Sequence, residues 1–304
     1  MNINKWLDKN CNQLKGKTIV ITGTTGGIGN AVLKHLAHLE ATVVAGVRNT
    51  KRQEEQYDEI KKVYPNFKLF ILKINLDSVQ SINEFADAVQ NLFPNGIDAL
   101  INNAGVYAQQ KQILESGYEK HFFVNTLAPA LLAKKLIPLL EKKQNSKILF
   151  VSSISVFFTK VNINDINSLK IKNKTKIYAR AKRWLTFYAR TLASSMQSSN
   201  VNISIVHPGI TASSLFMPKH AGVRKLFFPV LKFLMTIIFP RLEKASLSEV
   251  FALTIKTNPN EWVGPTKFFN IYGKPKQKVL RLGKKTANVE KQCFEIINNI
   301  INNL

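Results

Sequence analysis

The chain has 304 residues, of which 45% are hydrophobic and 20% charged, as in an ordinary globular protein. Its formal net charge of +24 favours contact with nucleotide phosphates, an anionic membrane surface or nucleic acid, although a basic solvated surface is an equally good interpretation. Nucleic acid is not expected as a partner, because no helix-turn-helix or zinc-finger spacing accompanies the charge. The two cysteines, Cys11 and Cys293, lack metal-ligand spacing, which predicts no metal site and fits a reducing, cytoplasmic compartment.

Strand and helix patterns alternate along the chain without a low-complexity linker. This alternation predicts an α/β fold, a three-layer, doubly wound parallel sheet (Rossmann fold), in a single domain over residues 1–304. The patterns predict strands at 18–22, 41–47, 67–74, 97–101, 147–151, 201–206 and 267–272. They predict helices at 31–39, 51–63, 78–92, 115–141, 178–199, 246–257 and 288–303, and a basic loop at 274–286.

A glycine-rich turn joins the first predicted strand to the first predicted helix. Gly23, Gly26, Gly27 and Gly29 follow the strand directly, with the spacing G-x-x-x-G-x-G. Glycines let a backbone approach a pyrophosphate closely, and the free N–H groups of the first helical turn point towards it. We therefore expect a dinucleotide site here; a turn that merely needs positive φ angles is the alternative.

The residue that follows the second predicted strand is Arg48. In dinucleotide-binding folds an acidic side chain at this place binds the ribose 2′-hydroxyl, whereas an arginine accommodates a 2′-phosphate. Arg48 thus favours NADP(H) over NAD(H) as the cofactor. The alternative is a solvated loop cation without a binding role.

Two asparagine-containing segments follow the fourth predicted strand. The sequence Asn102-Asn103-Ala104-Gly105 stands at the carboxyl end of that strand, where doubly wound sheets bind their ligands, but it is also good turn chemistry. Asn125 lies in an apolar stretch of the next helix and must find hydrogen-bond partners when it is buried. Taken alone, Asn125 is better interpreted as a structural hydrogen bond to a neighbouring strand.

Tyr178 and Lys182 stand four residues apart at the start of a predicted helix, so both can point at one spot. An ammonium group beside a phenol lowers the pKa of the phenol, which would make Tyr178 a proton donor and acceptor near neutral pH. For these two residues alone, a surface pair is the alternative. His207 precedes Pro208 at the end of the sixth strand; it has no carboxylate nearby in sequence and is interpreted as structural.

These pieces together resemble the short-chain dehydrogenase/reductase family, whose motifs occur here in the family's order over residues 16–273. The matching positions are residues 22–29, residues 102–105, Asn125, Ser153, Tyr178 with Lys182, and Pro208-Gly209. Within the family, the chain looks most like the retinol-dehydrogenase-like branch. The features behind this second likeness are Arg48-Asn49, the long connection between Ser153 and Tyr178, His207-Pro208-Gly209, and the apolar segment that follows.

The resemblance implies four catalytic residues. Tyr178 would be the general acid in carbonyl reduction and the general base in alcohol oxidation. Lys182 would lower the pKa of Tyr178 and bind the nicotinamide ribose, and Ser153 would hydrogen-bond the substrate oxygen. Asn125 would hold a water that relays protons to Lys182. Ser152 could be confused with Ser153, but family members use the second serine of such pairs.

The resemblance also implies NADP(H) as the cofactor and a set of residues that bind it. These residues are Gly23, Thr25, Gly27, Ile28, Gly29, Arg48, Asn75, Leu76, Asn103, Ala104, Gly105, Tyr178, Lys182, Pro208, Gly209 and Thr211. One departure is Asn75, because relatives usually carry an aspartate at this place near the adenine. The departure concerns adenine binding and not the fold.

An apolar segment at 226–240 has basic flanks and lies within the region, about 212–245, that covers the substrate in relatives. We expect this region to be a helical substrate lid, which suits a hydrophobic carbonyl or alcohol. The segment contains Pro229 and Lys232 and is too short for an easy membrane span, which needs about 20 residues. Peripheral contact with an anionic membrane is a further hypothesis, and a packed lid or dimer contact is the alternative.

Two functional hypotheses follow. The first is an NADP(H)-dependent oxidoreductase that acts on an apolar carbonyl or alcohol, and the joint presence of Asn125, Ser153, Tyr178 and Lys182 favours it. The alternative is a non-catalytic NADP(H)-binding sensor or scaffold, because a fold does not determine a function. The oligomeric state is left open, although relatives often form dimers or tetramers through the helices that bear Asn125 and Tyr178, and a homo-oligomer is one hypothesis.

Overall fold

The computed structural model describes residues 2–209, 242–267, 270–283 and 286–304. Within these ranges the strands are β1 (Thr18–Thr22), β2 (Thr42–Val47), β3 (Lys68–Lys73), β4 (Ala99–Asn102), β5 (Ser146–Val151), β6 (Val201–Val206), β7 (Glu261–Lys267) and β8 (Tyr272–Val279). The helices are α1 (Ile3–Asn10), α2 (Gly27–His38), α3 (Thr50–Val63), α4 (Val79–Leu92), α5 (Lys120–Phe122), α6 (Ala128–Glu141), α7 (Lys174–Ser195), α8 (Leu242–Ala245), α9 (Leu247–Thr254) and α10 (Ala287–Asn302). A π-helical turn, Phe123–Leu127, joins α5 to α6, and a 3₁₀ helix, Ile154–Phe158, follows β5.

The strands form a single sheet in the order β3-β2-β1-β4-β5-β6-β7-β8. Neighbours from β3 to β7 are parallel, and β8 runs antiparallel to β7. The winding reverses between β1 and β4, because β2 and β3 lie on one side of β1 and the later strands lie on the other. Ligands of such sheets bind at this switch point, outside the carboxyl ends of the strands. The prediction of a doubly wound parallel sheet is confirmed.

Helices cover both faces of the sheet, and each face has its own apolar core. One core joins side chains of α4, α6, α7 and α10 to the sheet and includes Trp184, while the other joins α1, α2 and α9 and includes Leu36. A parallel sheet that is buried on both faces needs nearly continuous apolar strands. In β1, accordingly, Val20 belongs to the first core, whereas Ile19 and Ile21 belong to the second.

Two helices begin at residues other than the predicted ones, because polar side chains cap their first turns. The helix predicted at 115–141 begins at Lys120, because the side chain of Glu119 accepts hydrogen bonds from backbone N–H groups of the first turn. The helix predicted to open at Tyr178 begins at Lys174, because the side chain of Asn173 caps it in the same way. Tyr178 therefore lies in the second turn of α7.

The prediction of a last strand at 267–272 and a loop at 274–286 is wrong. These residues belong largely to a hairpin, in which β7 turns after Lys267 and β8 begins at Tyr272. β7 contains Gly264 and Pro265, which are depleted in strands, and β8 is rich in lysine, so neither shows a strand pattern. β7 tolerates Gly264 and Pro265 because its pairing with β6 ends at Val263, and β8 tolerates its lysines because it lies at the edge of the described sheet.

Two further predicted segments are the substrate lid and the carboxyl-terminal helix. The predicted lid at about 212–245 lies outside the described residues except for 242–245, which form α8. The helix predicted at 288–303 is confirmed as α10, and it packs against α7 and α6.

Lys120–Glu141 is the one stretch of the described chain that is helical, long and apolar enough to cross a membrane, and 78% of its apolar window is buried. Such burial is typical of a core helix.

Candidate active site

The glycine-rich turn between β1 and α2 is shaped by close contacts that exclude larger residues. Gly23 has a φ of +78°, and a Cβ at this position would lie 2.9 Å from the Cα of Ala104. A Cβ on Gly29 would lie 2.3 Å from the carbonyl oxygen of Gly23. The cap of α2 is Gly26, which makes no side-chain hydrogen bond to the first turn, so the N–H groups of that turn are available to a phosphate.

The segment after β4 braces this turn. The Nδ2 of Asn103 donates to the carbonyl oxygen of Thr22 at 2.7 Å, and the N–H of Ala104 donates to the Oγ1 of Thr22 at 3.1 Å. From the other side, the Oγ1 of Thr24 donates to the Oε1 of Gln53 on α3 at 2.6 Å. Asn103 therefore shapes the candidate cofactor site by holding the turn in place.

A groove runs along the carboxyl ends of the strands, from the glycine-rich turn to α7, with a cavity volume of about 440 Å³. Every predicted cofactor residue from Gly23 to Pro208 lines this groove. Gly209 is not among the lining residues, and Thr211 lies outside the described part of the chain. The structure thus gathers residues from six separate segments around one elongated cavity, as a dinucleotide site requires.

One end of the groove is basic. Arg48 and Arg52 are both exposed, and both line the groove beside the carboxyl end of β2. Asn49 positions the second arginine, because its Oδ1 accepts a hydrogen bond from the N–H of Arg52 at 3.0 Å and caps α3. Arg52 is not among the cofactor residues predicted from the sequence. The signal that could have found it is its spacing of four residues from Arg48 at a helix start.

Asn75 lines the same end, but its amide oxygen is already used within its own loop. The Oδ1 of Asn75 accepts from the N–H of Asp77 at 3.3 Å. The backbone N–H of Asn75 donates to the Oγ of Ser81 at 2.9 Å. The side chain of Asn75 thus stabilises the connection between β3 and α4. Asparagine in place of the usual aspartate therefore needs no change in the fold.

Tyr178 lies at the inner end of the groove, where it is partly exposed. Its hydroxyl is hydrogen-bonded to the hydroxyl of Ser153, and its ring packs edge-on against that of Tyr107, with the centroids 4.8 Å apart. Ser152 instead turns its hydroxyl into the core, 2.7 Å from the Oγ1 of Thr186. The structure therefore pairs Tyr178 with Ser153 and not with Ser152. Tyr107, which also lines the groove, carried no signal in the sequence.

Lys182 follows Tyr178 by about one turn of α7 and is buried. Its Nζ donates a hydrogen bond to the carbonyl oxygen of Val151, the last residue of β5, at 2.7 Å. Burial lowers the pKa of Lys182 to about 8, whereas the charge of Glu249 raises it. The predicted pair of Tyr178 and Lys182 thus lies at one site, as the helical spacing indicates.

The pKa of Tyr178 differs from the expected direction. Burial raises it to about 12, the hydrogen bond with Ser153 lowers it, and Tyr107 raises it. The expected lowering by Lys182 does not prevail, because lost hydration around the phenol dominates and the ammonium is directed at Val151. Tyr178 therefore carries its proton at neutral pH.

Asn125 is fully buried in the π-helical turn before α6. Its Oδ1 accepts from the N–H of Val106 at 3.0 Å, and its Nδ2 donates to the carbonyl oxygen of Val106 at 3.0 Å. Both polar atoms of the Asn125 side chain are thus engaged with the backbone of Val106. These are structural hydrogen bonds, as predicted for the residue alone, but their partner lies in the loop after β4 and not in a strand. Pro129, four residues later, has no N–H to give to the carbonyl oxygen of Asn125.

His207 is buried against Trp262, with the ring centroids 4.0 Å apart and the planes 25° from parallel. Its Nδ1 accepts a hydrogen bond from the N–H of Gly209, which has a φ of +83°. Burial lowers the pKa of His207 to about 3, so the imidazole is neutral at physiological pH. The burial and the neutral state of His207 agree with its structural interpretation, and Gly209 supports this turn instead of lining the groove.

Comparison with known proteins agrees with this geometry. The family model described as short chain dehydrogenase matches residues 17–223. Retinol dehydrogenase 14 of Mus musculus is 32% identical over 212 residues, which cover 66% of this chain and 63% of that protein. Retinol dehydrogenase 12 of Homo sapiens is 30% identical over 224 residues, which cover 72% of this chain and 70% of that protein. The chain thus spans less than two thirds of the length of the mouse protein.

Solved structures share the fold. An uncharacterised protein from Mycobacterium paratuberculosis superimposes with a TM-score of 0.76 at 20% identity, over 97% of this chain and 96% of that chain. L-sorbose reductase from Gluconobacter frateurii, complexed with NADPH and L-sorbose, gives a TM-score of 0.63 at 21% identity, over 79% of this chain and 90% of that chain. Because the family model matches more than half of its length and its relatives are retinol dehydrogenases, the chain belongs to the short-chain dehydrogenase/reductase family, in its retinol-dehydrogenase-like branch.

Proposed function

We propose that the protein is an NADP(H)-dependent oxidoreductase that interconverts a hydrophobic carbonyl and its alcohol, with Tyr178 as general acid and base. The observation that carries this proposal is the hydrogen bond between Tyr178 and Ser153 at the inner end of the groove. A protonated phenol and a second hydroxyl together suit a substrate oxygen that gains or loses a proton. The hydrophobic substrate class is supported by the relatives, which are named retinol dehydrogenases.

The groove fits a nicotinamide dinucleotide by the chemistry of its lining. The N–H groups at the start of α2 would bind the pyrophosphate, and Arg48 and Arg52 would bind the adenosine end. At the other end Gly105 leaves room, because a Cβ there would lie 2.6 Å from the Oδ1 of Asn125 and 3.5 Å from the Nζ of Lys182. A nicotinamide cofactor supplies hydride transfer when it is bound, and the chain supplies placement and proton transfer.

Tyr178 is placed to move the proton. Its hydroxyl would donate to the carbonyl oxygen of a substrate held by Ser153 during reduction, and would accept the proton during oxidation. The buried ammonium of Lys182 would stabilise the phenolate that forms after the donation, and would bind the nicotinamide ribose. Because its pKa is high, the hydroxyl of Tyr178 keeps its proton at neutral pH and can donate it.

The backbone of Asn125 would complete a proton relay to Lys182. Both polar atoms of the Asn125 side chain are engaged with Val106, so a relay water would bind the carbonyl oxygen. Pro129 supports this role, because it removes the N–H that would otherwise occupy that oxygen in a regular helix.

The preference for NADP(H) can be tested at the basic end of the groove. We expect Arg48→Ala and Arg52→Ala each to weaken NADPH binding about tenfold and to leave NADH binding nearly unchanged. Each guanidinium would form a charge-assisted hydrogen bond with the 2′-phosphate, which NADH lacks. Fluorescence titration of both cofactors measures the two affinities.

Lys51→Ala is the matched control, because Lys51 is exposed between the two arginines but does not line the groove. It should leave both affinities as they are. Equal losses for NADPH and NADH in the arginine variants would contradict the proposed preference.

The proposed reaction is tested by a turnover assay with NADPH and NADH against apolar aldehydes and ketones, and in reverse with apolar alcohols. We expect reduction of at least one apolar carbonyl, with NADPH preferred. NADPH binding without turnover of any compound would favour the alternative, a non-catalytic sensor or scaffold. Absence of binding for either cofactor would exclude both hypotheses.

We also propose a cytoplasmic protein that contacts anionic membranes peripherally. The net charge of +24 and the apolar segment at 226–240 support the contact, although that segment lies outside the described residues. We expect the protein to float with anionic liposomes at low salt and to dissociate at high salt, because salt screens the attraction. Protein that stays unbound at low salt would rule the contact out.

A homo-oligomer stays a prediction for this chain. The C-terminal helix α10 packs against α7 and α6, so it covers part of the helices through which relatives associate. We propose that any contact between copies uses the part of this surface that α10 leaves open. Light scattering of the full chain measures the number of copies.

A further inference from the structure

Glu249 on α9 is a buried carboxylate that the proposed reaction does not use. Its side chain is fully buried, and neither carboxylate oxygen has a hydrogen-bond partner among the residues that the structure describes. Burying an unpaired carboxylate is costly, and buried polar groups are normally satisfied. Such a group in a helix beside the candidate active site is a candidate for a functional role.

Glu249 and Lys182 stand on helices that pack against opposite faces of the sheet. The helix α9 packs against β5 and β6, and its apolar residues belong to the core that also contains Val151. Lys182 comes from α7 on the other face, and its Nζ donates to the carbonyl oxygen of Val151. Two buried ionisable groups thus stand on helices that pack against β5 from its two faces.

The charges of these two groups act on each other. Burial raises the pKa of Glu249 to about 8, and Lys182 lowers it. Burial lowers the pKa of Lys182 to about 8, and Glu249 raises it. As the pH rises above neutral, Glu249 loses its proton, and its negative charge then opposes the loss of the proton from Lys182.

Other titratable groups stand on the elements that pack against α9. They are Lys34, His35 and His38 on α2, Glu243 and Lys244 on α8, Lys147 on β5, His207 after β6, Glu261 and Lys267 on β7, and Lys274, Lys276 and Lys278 on β8. The charged group that acts on the pKa of Glu249 is nevertheless Lys182. His35 and Lys147 are engaged with backbone carbonyl oxygens.

We propose that Glu249 is a positioning residue, whose buried carboxylate keeps Lys182 in its ammonium form across β5. The role of Glu249 is to extend the active range of the enzyme to higher pH. This inference rests on the proposed function, because it assigns Lys182 a charge-dependent task beside Tyr178.

The variant Glu249→Gln tests this role, because the amide keeps the shape and removes the charge. We expect the alkaline limb of kcat/KM, and of NADPH affinity, to move to lower pH by about 0.5 to 1 pH unit, with values at pH 6 unchanged. Glu249→Asp, which keeps the carboxylate, should retain most of the wild-type limb. Glu243→Gln removes an exposed carboxylate from neighbouring α8 and should change neither limb.

Thermal unfolding gives a second measurement that does not depend on activity. The pKa of Glu249 lies above its ordinary value of 4.5, so the folded state binds a proton that the unfolded state releases. Its contribution to stability is therefore lost as the pH rises from about 4.5 to about 8. We expect the fall in Tm between pH 6 and pH 8.5 to be smaller in Glu249→Gln than in the wild type.

The outcomes separate the two proposals. An alkaline limb that stays in place in Glu249→Gln, in a folded variant that binds NADPH, would overturn the role of Glu249. A wild-type protein that binds no NADPH would overturn the proposed function itself. An equal shift of the alkaline limb of kcat/KM in Glu249→Gln and Glu243→Gln would also overturn the role of Glu249. The shift would then come from the change in net charge that both variants share.

Discussion

The variant Tyr178→Phe is expected to lower kcat/KM for carbonyl reduction by about a hundredfold to ten-thousandfold. The phenol oxygen is the proposed proton donor, and its loss also removes the hydrogen bond with Ser153. The affinity for NADPH should change little, because the ring keeps its contact with Tyr107. Steady-state kinetics and fluorescence titration of NADPH measure the two effects separately.

Tyr188→Phe is the matched control for this variant. Tyr188 lies on the same helix, α7, but it is buried in the core, against Phe150 and Phe294. The same chemical change there should leave kcat/KM near the wild-type value. If Tyr178→Phe turned over substrate as fast as Tyr188→Phe, Tyr178 would not be the general acid.

The variant Gly29→Ala is expected to raise the Kd of NADPH about tenfold to a hundredfold and to lower the free energy of unfolding by about 1–3 kcal/mol. The new Cβ would lie 2.3 Å from the carbonyl oxygen of Gly23, a distance that a folded chain cannot accept. The turn must therefore open, which moves the N–H groups of α2 away from the pyrophosphate. Denaturant unfolding and NADPH titration measure the two changes.

Gly26→Ala controls for the stability change. A Cβ on Gly26 would meet no protein atom closer than 4.0 Å among the described residues, so the free energy of unfolding should stay near that of the wild type. Normal NADPH affinity in Gly29→Ala would show that the turn does not bind the cofactor.

Local patterns made much of the candidate site predictable. The glycine-rich turn depends on residues that are close together in the chain, and helical spacing alone places Tyr178 and Lys182 on one face. The alternation of strands and helices predicts the parallel sheet, because a helix between two strands returns the chain to the edge where the first strand began. The β7–β8 hairpin escaped prediction because Gly264, Pro265 and the lysines of β8 hide the strand period.

Contacts between distant segments were not predictable in this way. Tyr107 reaches Tyr178 because the segment after β4 lies beside α7, and no spacing along the chain records that neighbourhood. The predicted partner of Asn125 was a neighbouring strand, whereas the fold brings it to Val106, in the loop after β4.

The sequence by itself determined the fold class, the family and the side chains that we propose as catalytic. The tertiary structure alone decided the pKa values of these side chains. Burial raises the pKa of Tyr178, and the charge of Glu249 raises the pKa of Lys182. A pKa depends on how much water surrounds a group and on which charges lie near it in space. Neither quantity is encoded in local spacing, because both sum over residues that only folding brings together.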